Sequence, residues 1–302
     1  NLNARFCLEK LSVLHSYEFT TVSEIPASEA NKFYGRQANT PILYNGFNRI
    51  IAPNLDYCNN KRKVAREIIL KVASEKLDTN FDDNTNIILT SGRYEFRNKG
   101  LDLFLDSLNK IDKSDNDTNI LALIAVPADS GNPTKEYNNK LLTHTIRHPE
   151  NDQILNTCNR LGLNNDKNNK VKILFIPVYL NGNDGVFNLE YYDFLTCADL
   201  TVFASYYEPW GYTPLESIAH GIPSITTTLA GFGLYAKKFT NNILDGLEVI
   251  ERNDNNYTQA TNNLQNIILK YFNANKAEKD IASKKAFELS NNFLWDNLLD
   301  NY

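Results

Sequence analysis

NIILTSGRYEFRNKGLDLFLDSLNKIDKSDNDTNILALIAVP, residues 86–127, is the stretch on which the fold turns. Ile87-Ile88-Leu89-Thr90 is a short apolar run. A loop through Gly100 follows, and then Leu101, Phe104, Leu105, Leu108 and Ile111 recur at helical period on one face. Ile120 to Val126 is continuously apolar and stopped by Pro127, the pattern of a strand covered on both faces. Strand, helix and strand in that order predict a parallel pair joined by a right-handed crossover.

The same alternation extends in both directions. Val171 to Ile176 and Leu200 to Ala204 repeat the strand pattern, and Gly221-Ile222-Pro223 leads into the β-branched run Ser224 to Thr228. Val64, Ile68, Ile69 and Val72 mark an amphipathic helix from about Asn60 to Lys76; Leu264, Ile267, Ile268, Tyr271 and Phe272 mark another. Phe19–Val22 and Ile42–Tyr44 are strand candidates flanking a helical stretch, with an Asn45-Gly46 turn after them. Asn- and Lys-rich patches around 112–119, 128–140 and 163–170 read as solvated loops. The predicted fold class is α/β, a doubly wound parallel sheet.

Composition sets the class of molecule. The 302 residues are 42% hydrophobic, far too apolar for a disordered chain. Lys+Arg 31 against Asp+Glu 36 gives a net charge of -5, which argues against a nucleic-acid or anionic-membrane surface. No apolar run reaches the roughly 18 residues of a membrane span, and no signal peptide opens the chain. Cys7, Cys58, Cys158 and Cys197 are too scattered for a disulfide framework or paired metal ligands, so reduced cytoplasmic thiols are expected. The chain contains no Met.

Ligands of open parallel sheets bind beyond the carboxyl ends of strands, and two such loops are rich in chemistry. Thr90–Gly100, TSGRYEFRNKG, brings Arg93, Arg97 and Lys99 to the start of a helix, which suits a phosphate or diphosphate. The plainer alternative is an exposed loop whose Glu95 neutralises its neighbours. Ser205–Glu216, SYYEPWGYTPLE, reads as a capping box with Thr213 as N-cap, Pro214 first and Glu216 third, closed by Gly221 as an αL cap. Glu216 is thereby explained without a ligand. Glu208 is not: it lies among Tyr206, Tyr207, Trp210 and Tyr212, an aromatic wall of the kind carbohydrate and nucleotide sites offer, or it is a surface carboxylate. Asp115-Asn116-Asp117 spells the DxD of metal-dependent sugar transfer but reads better as a turn. His15, His144, His148 and His220 have no metal-ligand spacing, and His220 is explained as a cation ending a helix.

At these loops the sequence strongly resembles the glycogen synthases of the fungal and animal type. The match runs through SYYEPWGYTPLESIAHGIPSITTTLAGFG and TSGRYEFRNKG, with Ala4–Lys10, His15-Ser16, FTTVSEI, Asn45–Asn48 and NLEYYDFL in colinear order. EPWGYTP is highly specific, whereas the Glu208/Glu216 spacing is shared by many retaining two-Rossmann (GT-B) glycosyltransferases. The resemblance implies UDP-glucose as donor and glycogen or maltodextrin as acceptor, with retention. Arg93 and Lys99 would bind the diphosphate and stabilise the departing phosphate. Glu208 would face the reacting sugar, and Glu216 would hold the ribose hydroxyls. Tyr191 would stack on the uracil, while the backbone around Tyr212 and Thr213, with Trp210 and Gly211 beside it, would cradle the β-phosphate. Lys10 falls where the family carries an Arg from the other domain. No metal cofactor is implied, because Arg and Lys supply the electrostatic stabilisation.

The resemblance further divides the chain into residues 1–52, the tail of an N-terminal Rossmann domain, 53–275, the nucleotide-sugar domain, and 276–302, a helical tail. Most of the N-terminal domain and its glycine-bearing donor loop would be absent, so the isolated piece is expected to be poorly active. A long insertion after VPADSG (126–131) and the Arg-rich helix for glucose-6-phosphate are also missing, which points to an unregulated bacterial-type member. Two rival functions stay open here: a related transferase for another nucleotide sugar, and a non-catalytic nucleotide- or glucan-binding module. Whether the protein forms a homo-oligomer is open as well.

Overall fold

The computed structural model of the chain describes residues 2–35, 40–134 and 141–299. Its strands are β1 (Asn86–Ser91), β2 (Ile120–Ala125), β3 (Ser130–Pro133), β4 (His144–Ile146), β5 (Val171–Ile176), β6 (Leu200–Val202), β7 (Ser224–Thr227) and β8 (Leu247–Ile250). Among the described residues, six of these form one parallel sheet in the order β5-β2-β1-β6-β7-β8. Numbered by their own sequence, the sheet strands run 3-2-1-4-5-6. That is the doubly wound arrangement, and its direction reverses between β1 and β6.

Strand side chains alternate between two cores because their period is two. Ile88, Ile120, Ala122 and Ile173 meet the helices Leu101–Lys113, Gln153–Leu161 and Tyr257–Phe272. Ile87, Leu121, Leu123 and Leu174 meet the helix Leu55–Leu77 on the opposite face. The predicted apolar face of Leu101–Lys113 is buried in full, each large side chain contributing about 1.5–3 kcal/mol. A third cluster joins Phe47, Trp210, Phe232 and Phe293 below the second functional loop. There Phe47 is clamped by the C-terminal segment: its N–H donates to the Phe293 carbonyl (3.0 Å) and its own carbonyl accepts from the Trp295 N–H (3.2 Å).

Several expectations need correction. Helix Leu55–Leu77 is longer than predicted, and its inward face is the predicted one except at Val64, which is exposed: Ile69 is buried, Ile68 and Val72 pack against the same core, and Ala65 and Ala73 complete the face. Small alanines let it approach the sheet, and Arg66 points inward to Asp199 and the carbonyls of Cys197, Asp83 and Thr85. Phe19–Val22 and Ile42–Tyr44 make only a parallel bridge between Thr21 and Ile42, flanking the predicted helix at Glu24–Tyr34. Asn45-Gly46 is not a turn. Gly46 passes so close to Trp295 that an added Cβ would lie 2.8 Å from its backbone nitrogen. Part of the 128–140 patch is the β3–β4 ribbon, and residues 135–140 lie outside the described residues. Edge strand β8 was not predicted, because Leu-Glu-Val-Ile is short and interrupted by a carboxylate that accepts from the Ile243 N–H.

Candidate active site

The loops after β1 and β6 flank the point where the sheet reverses, which is where doubly wound folds bind ligands. Gly100 locks them together. Its φ is +68°, and an added Cβ would sit 1.9 Å from the Ala204 carbonyl oxygen, so only glycine fits. The Tyr206 N–H then donates to the Asn98 carbonyl at 2.8 Å. This close approach delivers Lys99 to Glu208: their side chains form a salt bridge and are 15% and 19% exposed. Ser205 Oγ lies 3.5 Å from the same carboxylate oxygen. Glu208 is also fixed through its backbone, donating to the Leu229 carbonyl and accepting from the Gly231 N–H.

Arg93 is 76% exposed and pairs with Glu95 at 3.1 Å, so the neutralising partner proposed from sequence is present. It borders a cavity of about 460 Å³ whose lining includes Gly92, Pro127, Tyr179, Tyr191 and Thr213. Tyr191 hydrogen-bonds Ser91 at the end of β1 through its hydroxyl (3.0 Å). Lys99 and Glu208 are not among its lining residues, although Lys99 Cε would lie 4.0 Å from a Cβ added at Gly92, which is. A broader cleft of about 1420 Å³ runs along Leu55–Leu77 toward Asp280 and Lys284, but none of the predicted site residues line it.

The helix that follows spans Tyr212–Ala219. The capping box is corrected: its N-cap is Gly211 at φ 102°, with no side-chain cap. The sequence reading started the helix two residues late and therefore gave Thr213 the wrong position. The helix start lies at the crevice, where Thr213 lines the cavity, and it brings the positive end of the helix dipole there. The carboxyl end is as predicted: Gly221 (φ 72°) closes a Schellman motif, with Ile222 N–H on the Ser217 carbonyl and Gly221 N–H on that of Ile218.

Freed from capping, Glu216 turns its carboxylate to Tyr192, whose hydroxyl donates to Oε1 at 3.0 Å. Burial pushes this carboxyl above its ordinary value, with the Tyr192 hydrogen bond opposing. His220 is also corrected. It is 5% exposed and stacked on Tyr192 (5.4 Å between centroids), and its Nδ1 donates to the Glu216 carbonyl at 2.7 Å. Burial pushes its pKa down, which disfavours the helix-end cation read from sequence, and the ring is held by packing and by the Glu216 carbonyl instead.

The four aromatics around Glu208 do not form one wall. Trp210 is buried against Tyr44 and Phe232 and supports the loop from below. Tyr206 is stacked by Arg252 and Arg97, Tyr207 donates to Glu29, and Tyr212 is exposed. Ser23, which donates to the Pro209 carbonyl, ties the N-terminal segment to this loop. Lys10 lies on the helix Leu2–His15 over the Phe6 ring and is not among the cavity's lining residues. Asp115–Asp117 sits at the amino end of β2, where Asn116 closes a turn on Thr118, away from the crevice. Tyr192, Ser91 and Ser205 were missed by the sequence reading. The tandem Tyr191-Tyr192 was the available signal, since successive positions of a helix start place one ring in the cavity and one beside Glu216.

A family model described as glycogen synthase matches residues 1–141 and 134–302. The chain belongs to the glycogen synthase family. Glycogen [starch] synthase of Neurospora crassa is 27% identical over 363 residues, covering 96% of this chain and 51% of that protein. Isoform 1 of Saccharomyces cerevisiae (26%, covering 96% and 52%) and the liver enzyme of Homo sapiens (26%, covering 96% and 51%) match similarly. The chain spans about half the length of these curated relatives. Among solved structures, HepE of Anabaena in complex with UDP and glucose superposes with a TM-score of 0.60 at 16% identity, covering 98% of this chain and 65% of that one. Sucrose-phosphate synthase of Thermosynechococcus elongatus gives 0.56 at 18%, covering 98% and 59%. The fold of this glycogen synthase family member is thus that of the GT-B glycosyltransferases.

Proposed function

We propose that the protein transfers glucose from UDP-glucose to the non-reducing 4-hydroxyl of an α-1,4-glucan, glycogen or maltodextrin, with retention. The observation that carries this is the juxtaposition of Lys99 and Glu208 at the β1/β6 reversal, beside the uncapped start of Tyr212–Ala219. Glycosyl transfer develops positive charge on the sugar and negative charge on the leaving diphosphate. Lys99, Arg93 and the positive helix end in the backbone around Tyr212 and Thr213 would oppose the negative charge, and Glu208 the positive one. Lys99 has three donors, so it can hold the Glu208 carboxylate in place and still bind a phosphate oxygen. Tyr191 would face the base from its side of the cavity, and Glu216 would accept from the ribose hydroxyls.

The relatives' names and the UDP and glucose bound by HepE support the donor and the reaction. A cytoplasmic setting belongs to the proposal. Cys7, Cys58, Cys158 and Cys197 are all free thiols, and among the described residues no helix is long and apolar enough to cross a membrane. A domain division at about residue 52 and a helical tail after about 276 are part of it too. Transfer of labelled glucose to maltooligosaccharide is the test. Lys99→Ala should abolish transfer while leaving the fold intact, and transfer at the wild-type rate in that variant would remove the basis for the assignment.

A further inference from the structure

We infer that Tyr192 is a positioning residue: its hydroxyl, braced by His220, holds Glu216 in the one orientation from which the carboxylate can take a vicinal diol of the donor nucleotide. This rests on the proposed nucleotide-sugar reading and names a residue that the motif around Glu216 does not contain.

One contact reaches that carboxylate directly, and two more hold the group that makes it. Tyr192 hydroxyl donates to Oε1 at 3.0 Å. The Tyr192 ring lies nearly parallel to His220 (interplanar angle 18°), which fixes the plane in which the hydroxyl points. His220 in turn is anchored by its Nδ1–H on the Glu216 carbonyl oxygen, 2.7 Å away. Backbone and side chain of Glu216 are therefore both gripped by one two-ring stack.

The geometry serves a ligand better than it serves the fold. Glu216 lies one helical turn beyond Thr213, which lines the cavity, and Tyr191, which also lines it, precedes Tyr192. A half-buried carboxylate with one oxygen engaged presents its second oxygen in a set direction, which suits a pair of adjacent hydroxyls. A fold alone would be served as well by an apolar residue here, since burying a carboxylate works against its ionised form.

Calorimetric titration of the protein with UDP and with 2′,3′-dideoxy-UDP, comparing wild type and Tyr192→Phe, tests this. The expected result is about tenfold weaker UDP binding in the variant, the loss of one charge-assisted hydrogen bond, with an unchanged melting temperature. Dideoxy-UDP should bind both proteins equally, because the positioned carboxylate then has no diol to accept. Equal UDP affinity for both proteins would overturn the inference, and so would a loss that persists with dideoxy-UDP. A wild-type protein that binds no UDP would instead overturn the nucleotide-sugar reading beneath it.

Discussion

Glu208 and Glu216 are eight positions apart and look alike in sequence, yet their environments assign them different work. Glu208 is held by Lys99 at the crevice, so Glu208→Gln should keep the fold and UDP binding while turnover collapses, because only interactions stronger in the transition state alter the chemical step. Steady-state transfer beside UDP titration reads both, and near wild-type turnover would make Glu208 an ordinary loop carboxylate. Glu216 carries no capping duty, so its removal should not lower stability through a lost cap. Its folded pKa is raised by burial, hence its protonated form is the one the fold favours. Stability from that group is complete below the ordinary carboxylate range, about pH 4.3, and is lost as pH rises through the raised value. Glu216→Gln, which mimics the protonated form, should therefore melt at or above the wild-type temperature at pH 7 while binding donor more weakly, and the difference in melting should close as pH falls below 4. Arg93→Ala should weaken UDP and lower turnover together, and unchanged UDP affinity would remove its role.

At the scale of elements, the contact between two loops matters more than either loop. Gly100→Ala forces a Cβ into the Ala204 carbonyl at a positive φ, so it should destabilise by at least about 1–3 kcal/mol and separate Lys99 from Glu208. Thermal unfolding and a transfer assay would show both losses, and a stable, active Gly100→Ala protein would show that the loops are not locked here. The strands of this sheet were legible in sequence because buried parallel strands are continuous apolar runs: Val171–Ile176 stands as predicted, and the run Ile120–Val126 forms a strand over Ile120–Ala125. Loop rigidity at Gly100 was not legible, since nothing local says that a carbonyl from residue 204 will lie against it. The capping box was misread for a related reason. Thr213-Pro214-x-Glu216 satisfies a local rule, but the helix begins after Gly211 (φ 102°), where an added Cβ would also meet the Ala230 side chain at 3.9 Å, a contact from a distant part of the chain. His220 and Trp210 likewise owe their roles to neighbours far away in sequence, Tyr192 and Tyr44.

At the scale of the whole molecule a crevice lies at the reversal of the parallel sheet, with the N-terminal segment fastened to its second loop through Ser23 and Pro209. Regulation belongs at this scale. After Arg252 the chain has no Arg. The helix Lys276–Ser290 instead commits Lys279 to the Phe272 carbonyl and Lys285 to Asp245. Glucose-6-phosphate should therefore leave activity unchanged, and a several-fold activation would reveal an effector site elsewhere. In the proposed mechanism cationic side chains would supply the charge that the leaving diphosphate needs, so transfer should also persist in EDTA; strict dependence on Mg²⁺ or Mn²⁺ would count against that. The central claim is that the β1/β6 crevice binds a uridine nucleotide sugar through Lys99, and calorimetric titration of wild type and Lys99→Ala with UDP-glucose and ADP-glucose tests it most directly. Saturable binding that prefers UDP-glucose and weakens about tenfold or more in the variant is the predicted result; no binding of UDP-glucose, or binding that Lys99→Ala leaves unchanged, would contradict it.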